Sequence, residues 1–160
     1  MKSVIIGASF AGISAAIASR KKYPQAEISL IDKQATVGYL SGGLSAYFNH
    51  TINELHEARY ITEEELRRQK IQLLLNREVV AMDVENQLIA WAQKEEQQWY
   101  SYDKLILATG ASQFSTQIRG SQTEKLLKYK FLSGALAAVP LLEKSQTVAV
   151  IGAGPIGMEA

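Results

Sequence analysis

Lys2-Ser3-Val4-Ile5-Ile6-Gly7-Ala8-Ser9-Phe10-Ala11-Gly12 opens the chain and decides its fold. A short apolar run, Val4 to Ile6, meets Gly7, and Gly12 follows five positions later, ahead of small and apolar residues from Ile13 to Arg20. The order is that of a strand, a tight turn and a helix N-terminus, the unit that holds a dinucleotide pyrophosphate. Glycine provides the turn without a Cβ, and the first backbone N–H groups of the helix, with its dipole, attract phosphate. The middle position of the G-x-G-x-x-G pattern is Ser9, so the match is imperfect. Ala11, Gly12, Ala15, Ala16 and Ala18 keep one helix face thin enough to lie close to a sheet, and Tyr23-Pro24 ends the helix.

Glu27 to Asp32 read as the next strand, with Asp32 at its carboxyl end twenty residues after Gly12. An acid there accepts hydrogen bonds from ribose hydroxyls and disfavours a 2′-phosphate; it also suits a plain strand-end turn. Thr36 to Phe48 carries Gly42 and Gly43 between aromatic residues. The pair either admits a flat cofactor close to the backbone or forms a loop ahead of a short helix. Thr62 and Glu65 have capping-box spacing at the head of a solvated helix. Ile71 to Leu75 reads as a strand, and Val79–Val84, Gln87–Ala92 and Gln98–Tyr102 as an antiparallel meander with Trp91 and Trp99 as candidate cross-strand partners. Leu105 to Ala108 reads as a buried strand running into Thr109-Gly110, at the sheet edge where ligands bind in doubly wound folds. Ala111 to Leu127 reads as a polar loop, and Ser133 to Lys144 as a helix that Pro140 should break or kink. A second fingerprint, Gly152, Gly154 and Gly157, follows the apolar run Thr147 to Ile151, which reads as another buried strand. The residues after it are too few for a βαβ unit, so a fragment of a longer protein is expected.

A length of 160 residues suits about one domain with a real core. Seventeen basic and sixteen acidic side chains leave a net charge of +1, which gives no basic field for nucleic acid or an anionic membrane. The sequence has no cysteine, so these residues hold no disulfide, thiolate metal site or thiol chemistry. His50 and His56 lack metal-ligand spacing, and no metal site is expected. The N-terminal apolar run is broken by Gly7 and Ser9, unlike a signal peptide, and no run is long enough to span a bilayer; a cytoplasmic protein is the default.

Two fingerprints flanking a meander and a Tyr-Asp-Lys-Leu-Ile-Leu-Ala-Thr-Gly strand resemble the pyridine nucleotide-disulfide oxidoreductases, within them the group of NADH oxidases, NADH peroxidases and coenzyme A-disulfide reductases. Gly7-Ala8-Ser9, Leu40-Ser41-x-Gly43, Arg59-Tyr60, Thr109-Gly110 and the closing Gly-Pro-Ile-Gly-Met-Glu carry the likeness, which covers the whole chain. It implies an α/β fold. A Rossmann-like FAD-binding domain over residues 1–145 would combine a parallel sheet with a three-stranded meander, and residues 146–160 would begin a second, NAD(P)H-binding domain.

It also implies a flavoenzyme passing hydride from a nicotinamide, NADH favoured, to FAD and on to an external acceptor, either a small molecule or a protein. Gly7, Ser9, Phe10, Ala11 and Gly12 would surround the pyrophosphate, Asp32 with Lys33 the ribose, and the Val79-Val80 backbone the adenine. Ser41, Gly42, Thr109 and Gly110 would approach the flavin. Gly152, Gly154, Pro155, Ile156 and Gly157 would serve the nicotinamide cofactor, with Glu159 matching a family glutamate near the nicotinamide. Members of the group commonly dimerise through a C-terminal domain, so a homodimer is expected of the full-length protein. Two positions depart from the group. Gly42 stands where its redox cysteine falls and Phe10 where its active-site histidine falls, so thiol-based redox chemistry is not expected and no catalytic residue is assigned. The alternative implied by that loss is a flavin-binding redox sensor or interaction protein without efficient turnover.

Overall fold

The computed structural model describes residues 1–93, 96–112, 119 and 126–159. In chain order the elements are β1 (Lys2–Ile6), α1 (Phe10–Lys22), β2 (Glu27–Ile31), α2 (Gly43–Phe48), α3 (Glu63–Arg68), β3 (Ile71–Leu74) and β4 (Val79–Asp83). They continue with β5 (Leu88–Gln93), β6 (Glu96–Ser101), β7 (Lys104–Leu107), α4 (Leu132–Glu143) and α5 (Pro155–Glu159). The chain divides into two compact units, Met1–Gly38 with Ile61–Ala111, and Tyr39–Tyr60 with Ser112–Ala160.

The first unit is built on a parallel sheet of order β3-β2-β1-β7, with Val4 opposite Ser29 on one side and Leu105 on the other. A central parallel strand is covered on both faces, which is why Val4 to Ile6 is continuously apolar. Successive side chains divide between the faces. Ile5 joins Ile13, Ala16, Ile28, Leu30, Val37, Leu66 and Ile71 in a core with α1 and α3. Val4 joins Ile31, Ile89, Trp91 and Tyr102 beneath the meander β4-β5-β6. α3 starts at Thr62, whose hydroxyl accepts from the Glu65 N–H while the Glu65 side chain returns to the Thr62 N–H, as the spacing implied.

At the amino ends of the strands Arg20 ties three segments together. Its Nε donates to the Gln69 carbonyl at 3.0 Å, Nη1 to Pro24 and Ala26 at 2.8 Å each, and Nη2 to Lys70 at 2.7 Å. Four charge-assisted bonds from one guanidinium pin the end of α1 to the entry of β2 and to the turn before β3.

The second unit gathers α2, a 3-10 turn at Leu55–Glu57 and α4 around Leu44, Leu55, Leu132, Ala135 and Ala138. Among the described residues no helix is long and apolar enough to cross a membrane.

Four expectations are corrected. Trp91 stands opposite Gln98 and Trp99 opposite Ala90, so the tryptophans are not a pair; Trp91 is buried against Tyr100, with ring centroids 5.4 Å apart, while Trp99 is exposed. Among the described residues β7 is an edge strand, paired with β1 alone, and leaves Ile106 and Leu107 exposed rather than buried. Pro140 lies inside α4 and does not break it, the helix running on past it to Glu143. Residues 147–151 are not assigned to a strand, and Val148, Val150 and Ile151 are 57%, 52% and 77% exposed. Most of the expected loop at 111–127, and the turn residues Lys94 and Glu95, lie outside the described residues.

Replacing Arg20 with methionine keeps the aliphatic stem and removes all four hydrogen bonds. The expected cost is about 2 kcal/mol in urea unfolding; a cost near zero would contradict the clamp.

Candidate functional site

β1 ends at Ile6 in the middle of the sheet, and the chain turns at once through Gly7, whose φ of +111° lies in the region that favours glycine. The turn is fixed from both sides. The Gly7 N–H donates to the Ile31 carbonyl at 2.7 Å, and a Cβ on Gly7 would sit 2.1 Å from the Ala108 carbonyl oxygen at the end of β7. One helical turn later a Cβ on Gly12 would fall 1.7 Å from the Gly7 carbonyl oxygen, so only a bare Cα lets α1 rest on the strand end. Ser9 is the N-cap but makes no side-chain cap, and no acid occupies the first turn. Ser9, Phe10 and Ala11 are exposed, and the positive end of the α1 dipole is left to an anion.

Asp32 follows β2 and is bound on every side. Oδ2 accepts from the Ala8 N–H at 2.6 Å and Oδ1 from the Gln34 N–H at 2.7 Å, while its carbonyl accepts from the Arg77 N–H at 2.9 Å. The carboxylate therefore joins the loop after β1 to the loop after β2. Each oxygen keeps a further acceptor position for a hydroxyl. Beside it Lys33 pairs with Glu78 at 3.2 Å, an exposed ion pair worth little by itself. Val79 and Val80 open β4, the latter exposed. Thr109 and Gly110 follow β7, both exposed, and Gly110 has a φ of +65°. Gly7, Ser9, Phe10, Ala11, Gly12, Asp32, Lys33, Val79, Val80, Thr109 and Gly110 thus all belong to the first unit.

Ser41 and Gly42 belong to the second unit. Tyr39 bridges to Arg59 in antiparallel fashion, and the Leu40 N–H donates to the Ala58 carbonyl at 2.9 Å. Gly42 is the N-cap of α2 with φ −80° and ψ 3°, a conformation open to any residue. Gly43 is glycine for packing: a Cβ there would meet the Ala58 Cβ at 2.5 Å and the Tyr39 ring at 2.9 Å. Of the two readings of the glycine pair, the loop ahead of a short helix accounts for Gly43.

The Tyr39 hydroxyl is buried without a hydrogen-bond partner, and that burial raises its pKa above the ordinary 10.0. The unfolded chain ionises first as pH rises, so this tyrosine withdraws stability from the fold above about pH 10. Tyr60 shifts the same way for the same reason. Outside the site, Asp83 is lowered by the side chain and then the N–H of Asn86.

The closing fingerprint repeats the first in miniature. Gly152 has φ +113°, and a Cβ on Gly157 would lie 1.9 Å from the Gly152 carbonyl oxygen. Pro155 takes the first position of α5, where its missing N–H costs nothing. Gly154, Pro155 and Ile156 are exposed around that turn, and Glu159 ends α5. Arg77 lies between β3 and β4. Its guanidinium lies over the Trp91 indole, 5.2 Å from the ring centroid, and its buried Nε has no hydrogen-bond partner. Nothing in the sequence pattern marks it.

A parallel sheet whose middle strand ends in a glycine-tight turn under a helix N-terminus defines the doubly wound dinucleotide fold class. The whole of residues 1–160 matches the family model for pyridine nucleotide-disulphide oxidoreductase, and the chain belongs to that family. It is 33% identical over 162 residues to an NADH oxidase of Lactococcus lactis, covering 99% of this chain and 36% of that protein. It is 83% identical, with a TM-score of 0.76, to the crystal structure of a pyridine nucleotide-disulfide family oxidoreductase from Enterococcus faecalis V583, covering 99% of this chain and 33% of that one. It is also similar to the water-forming NADH oxidase from Lactobacillus brevis bound to NADH, at 25% identity and a TM-score of 0.92, over 99% of this chain and 36% of that one. The chain spans about a third of the length of these relatives.

Two contrasting substitutions check the turn. Gly110→Ala meets nothing within 4 Å and should cost only the left-handed backbone strain, about 1 kcal/mol. Gly12→Ala collides with backbone and should cost more than about 3 kcal/mol. Equal costs in chemical unfolding would contradict the geometry. Tyr39→Phe removes an unsatisfied buried hydroxyl and should raise stability by about 1 kcal/mol; a loss of that size would show that the hydroxyl has a partner.

Proposed function

We propose that the protein carrying this chain is an FAD-dependent NAD(P)H oxidoreductase that passes hydride equivalents from a nicotinamide, NADH favoured, through the flavin to an external acceptor with no protein thiol in the path. The observation that carries this reading is the Gly7–Gly12 turn, repeated at Gly152–Gly157, in a member of this family. The first turn fits a pyrophosphate: it has the bare glycine contact, an uncapped helix start and no acid in the first helical turn. Residues 1–145 would form the flavin domain's N-terminal part and residues 146–160 the start of the nicotinamide-cofactor domain.

Gly7, Ser9, Phe10, Ala11 and Gly12 would hold the pyrophosphate, Asp32 and Lys33 the ribose, and the Val79-Val80 backbone the adenine. Thr109 and Gly110, and by family likeness alone Ser41 and Gly42, are assigned to the flavin end. Gly152, Gly154, Pro155, Ile156, Gly157 and Glu159 are assigned to the second cofactor. Bound FAD would supply the two-electron chemistry, and the residues here bind and orient it. Neither Phe10 nor Gly42 can carry a proton or a sulfur-centred redox step. The acceptor would be a small molecule or a protein carrier, and the full-length protein a cytoplasmic homodimer.

A second reading rests on the same two residues. Without a thiol and its neighbouring proton carrier, the protein would be a flavin-binding sensor or interaction module, with NADH consumption no faster than free flavin gives.

Anaerobic stopped-flow mixing of the flavin-loaded protein with NADH separates the two. Bleaching of the flavin is expected, followed by NADH consumption faster than free flavin gives once oxygen is admitted as acceptor, whereas a flavin that stays oxidised overturns the proposal. In air, each NADH oxidised should yield about one hydrogen peroxide, since no thiol is present in these residues to reduce it further. Water as the product would contradict the thiol-free path.

A further inference from the structure

We infer that Tyr100 is a positioning residue for the first cofactor site, fixing where the meander sits on the parallel sheet; the inference rests on the FAD reading above. The meander lies on the sheet through Val4, Ile31, Ile89, Trp91 and Tyr102, and apolar contact of this kind is non-directional. Direction comes from one side chain of β6. The Tyr100 hydroxyl stands 3.0 Å from Oγ of Ser29 in β2, and both lie within hydrogen-bond reach of Oε1 of Gln72 in β3, at 3.3 and 3.0 Å. Two protons suffice for this junction, Tyr100 donating to Ser29 and Ser29 to Gln72.

The ring of Tyr100 is held as well. Lys2 Nζ, from β1, lies 3.5 Å from its centroid, and the Trp91 ring of β5 packs against it at 5.4 Å. One residue of the meander thus touches three strands of the sheet.

Ser29 is the unexpected partner. β2 lies inside a parallel sheet, where continuous apolar character is the rule, yet Ser29 is only 1% exposed. A buried hydroxyl costs stability unless it is hydrogen bonded, so burial alone does not call for serine there. A satisfied buried polar network selects one arrangement among those that apolar packing allows. The arrangement selected here bears on the cofactor site, because β4 of the same meander opens with Val79 and Val80 and Asp32 directly follows β2.

The test measures FAD and ADP binding to the full-length protein after its flavin is removed, at a temperature where every variant is fully folded. Tyr100→Phe keeps the ring beside Lys2 and Trp91 and removes the hydroxyl; it should raise both dissociation constants about fivefold, the scale of one hydrogen bond. Ser29→Ala, which leaves Tyr100 within reach of Gln72, should raise them less. The double variant should match Tyr100→Phe alone, since without the phenol oxygen Ser29 no longer bonds to the meander. A purely structural contact would lower the urea midpoint and leave both constants unchanged. That result overturns the positioning role, as does a double variant whose loss is the product of the two single losses. A wild type that takes up neither FAD nor ADP overturns the FAD reading instead, and the urea midpoints of the same variants then decide the junction, equal midpoints overturning it.

Discussion

The approach of α1 to the end of β1 depends on one contact, the bare Cα of Gly12 lying over the carbonyl oxygen of Gly7. A methyl group at either glycine would have to occupy backbone, that of Gly7 in one case and that of Ala108 in the other. With both absent, the helix begins directly on the strand end, and three strands converge there: β1 leading into Gly7, β2 accepting its N–H through Ile31, and β7 closing the other side at Ala108. Arg20 locks the same helix at its far end through four carbonyls. The helix start is therefore aimed by packing at both ends, and Ser9 adds no side-chain cap that would compete with a bound anion.

Much of this was legible because glycine, proline and continuous apolar runs have local meaning. Val4-Ile5-Ile6, Gly7 and Gly12 lead to the central strand and its turn, Thr62 with Glu65 to a capped helix, and the meander follows from short runs between polar turns. What failed depended on neighbours. Leu105-Ile106-Leu107 reads as buried, yet among the described residues β7 is a sheet edge and Ile106 and Leu107 are left uncovered. Val148 to Ile151 likewise has the composition of a sheet strand, and among the described residues it joins neither sheet. The Trp91 and Trp99 pairing failed by one residue of register, which sends the two rings to opposite faces.

The site was legible to a different degree. Asp32 follows β2, and its carboxylate serves as the turn residue that joins two loops while each oxygen keeps a further acceptor position. Gly42 and Gly43 look alike in sequence and differ in structure. Gly43 is required by Tyr39 and Ala58, whereas Gly42 adopts a conformation any residue could take. The position matched to the family's redox cysteine is thus not held as glycine by backbone geometry.

The central claim is that the Gly7–Gly12 turn holds the pyrophosphate of FAD. The most direct measurement is the visible absorption spectrum of the purified protein, followed by release and identification of any bound flavin. The account predicts a yellow protein that releases FAD at about one per chain. A colourless protein that neither contains nor takes up FAD would contradict it.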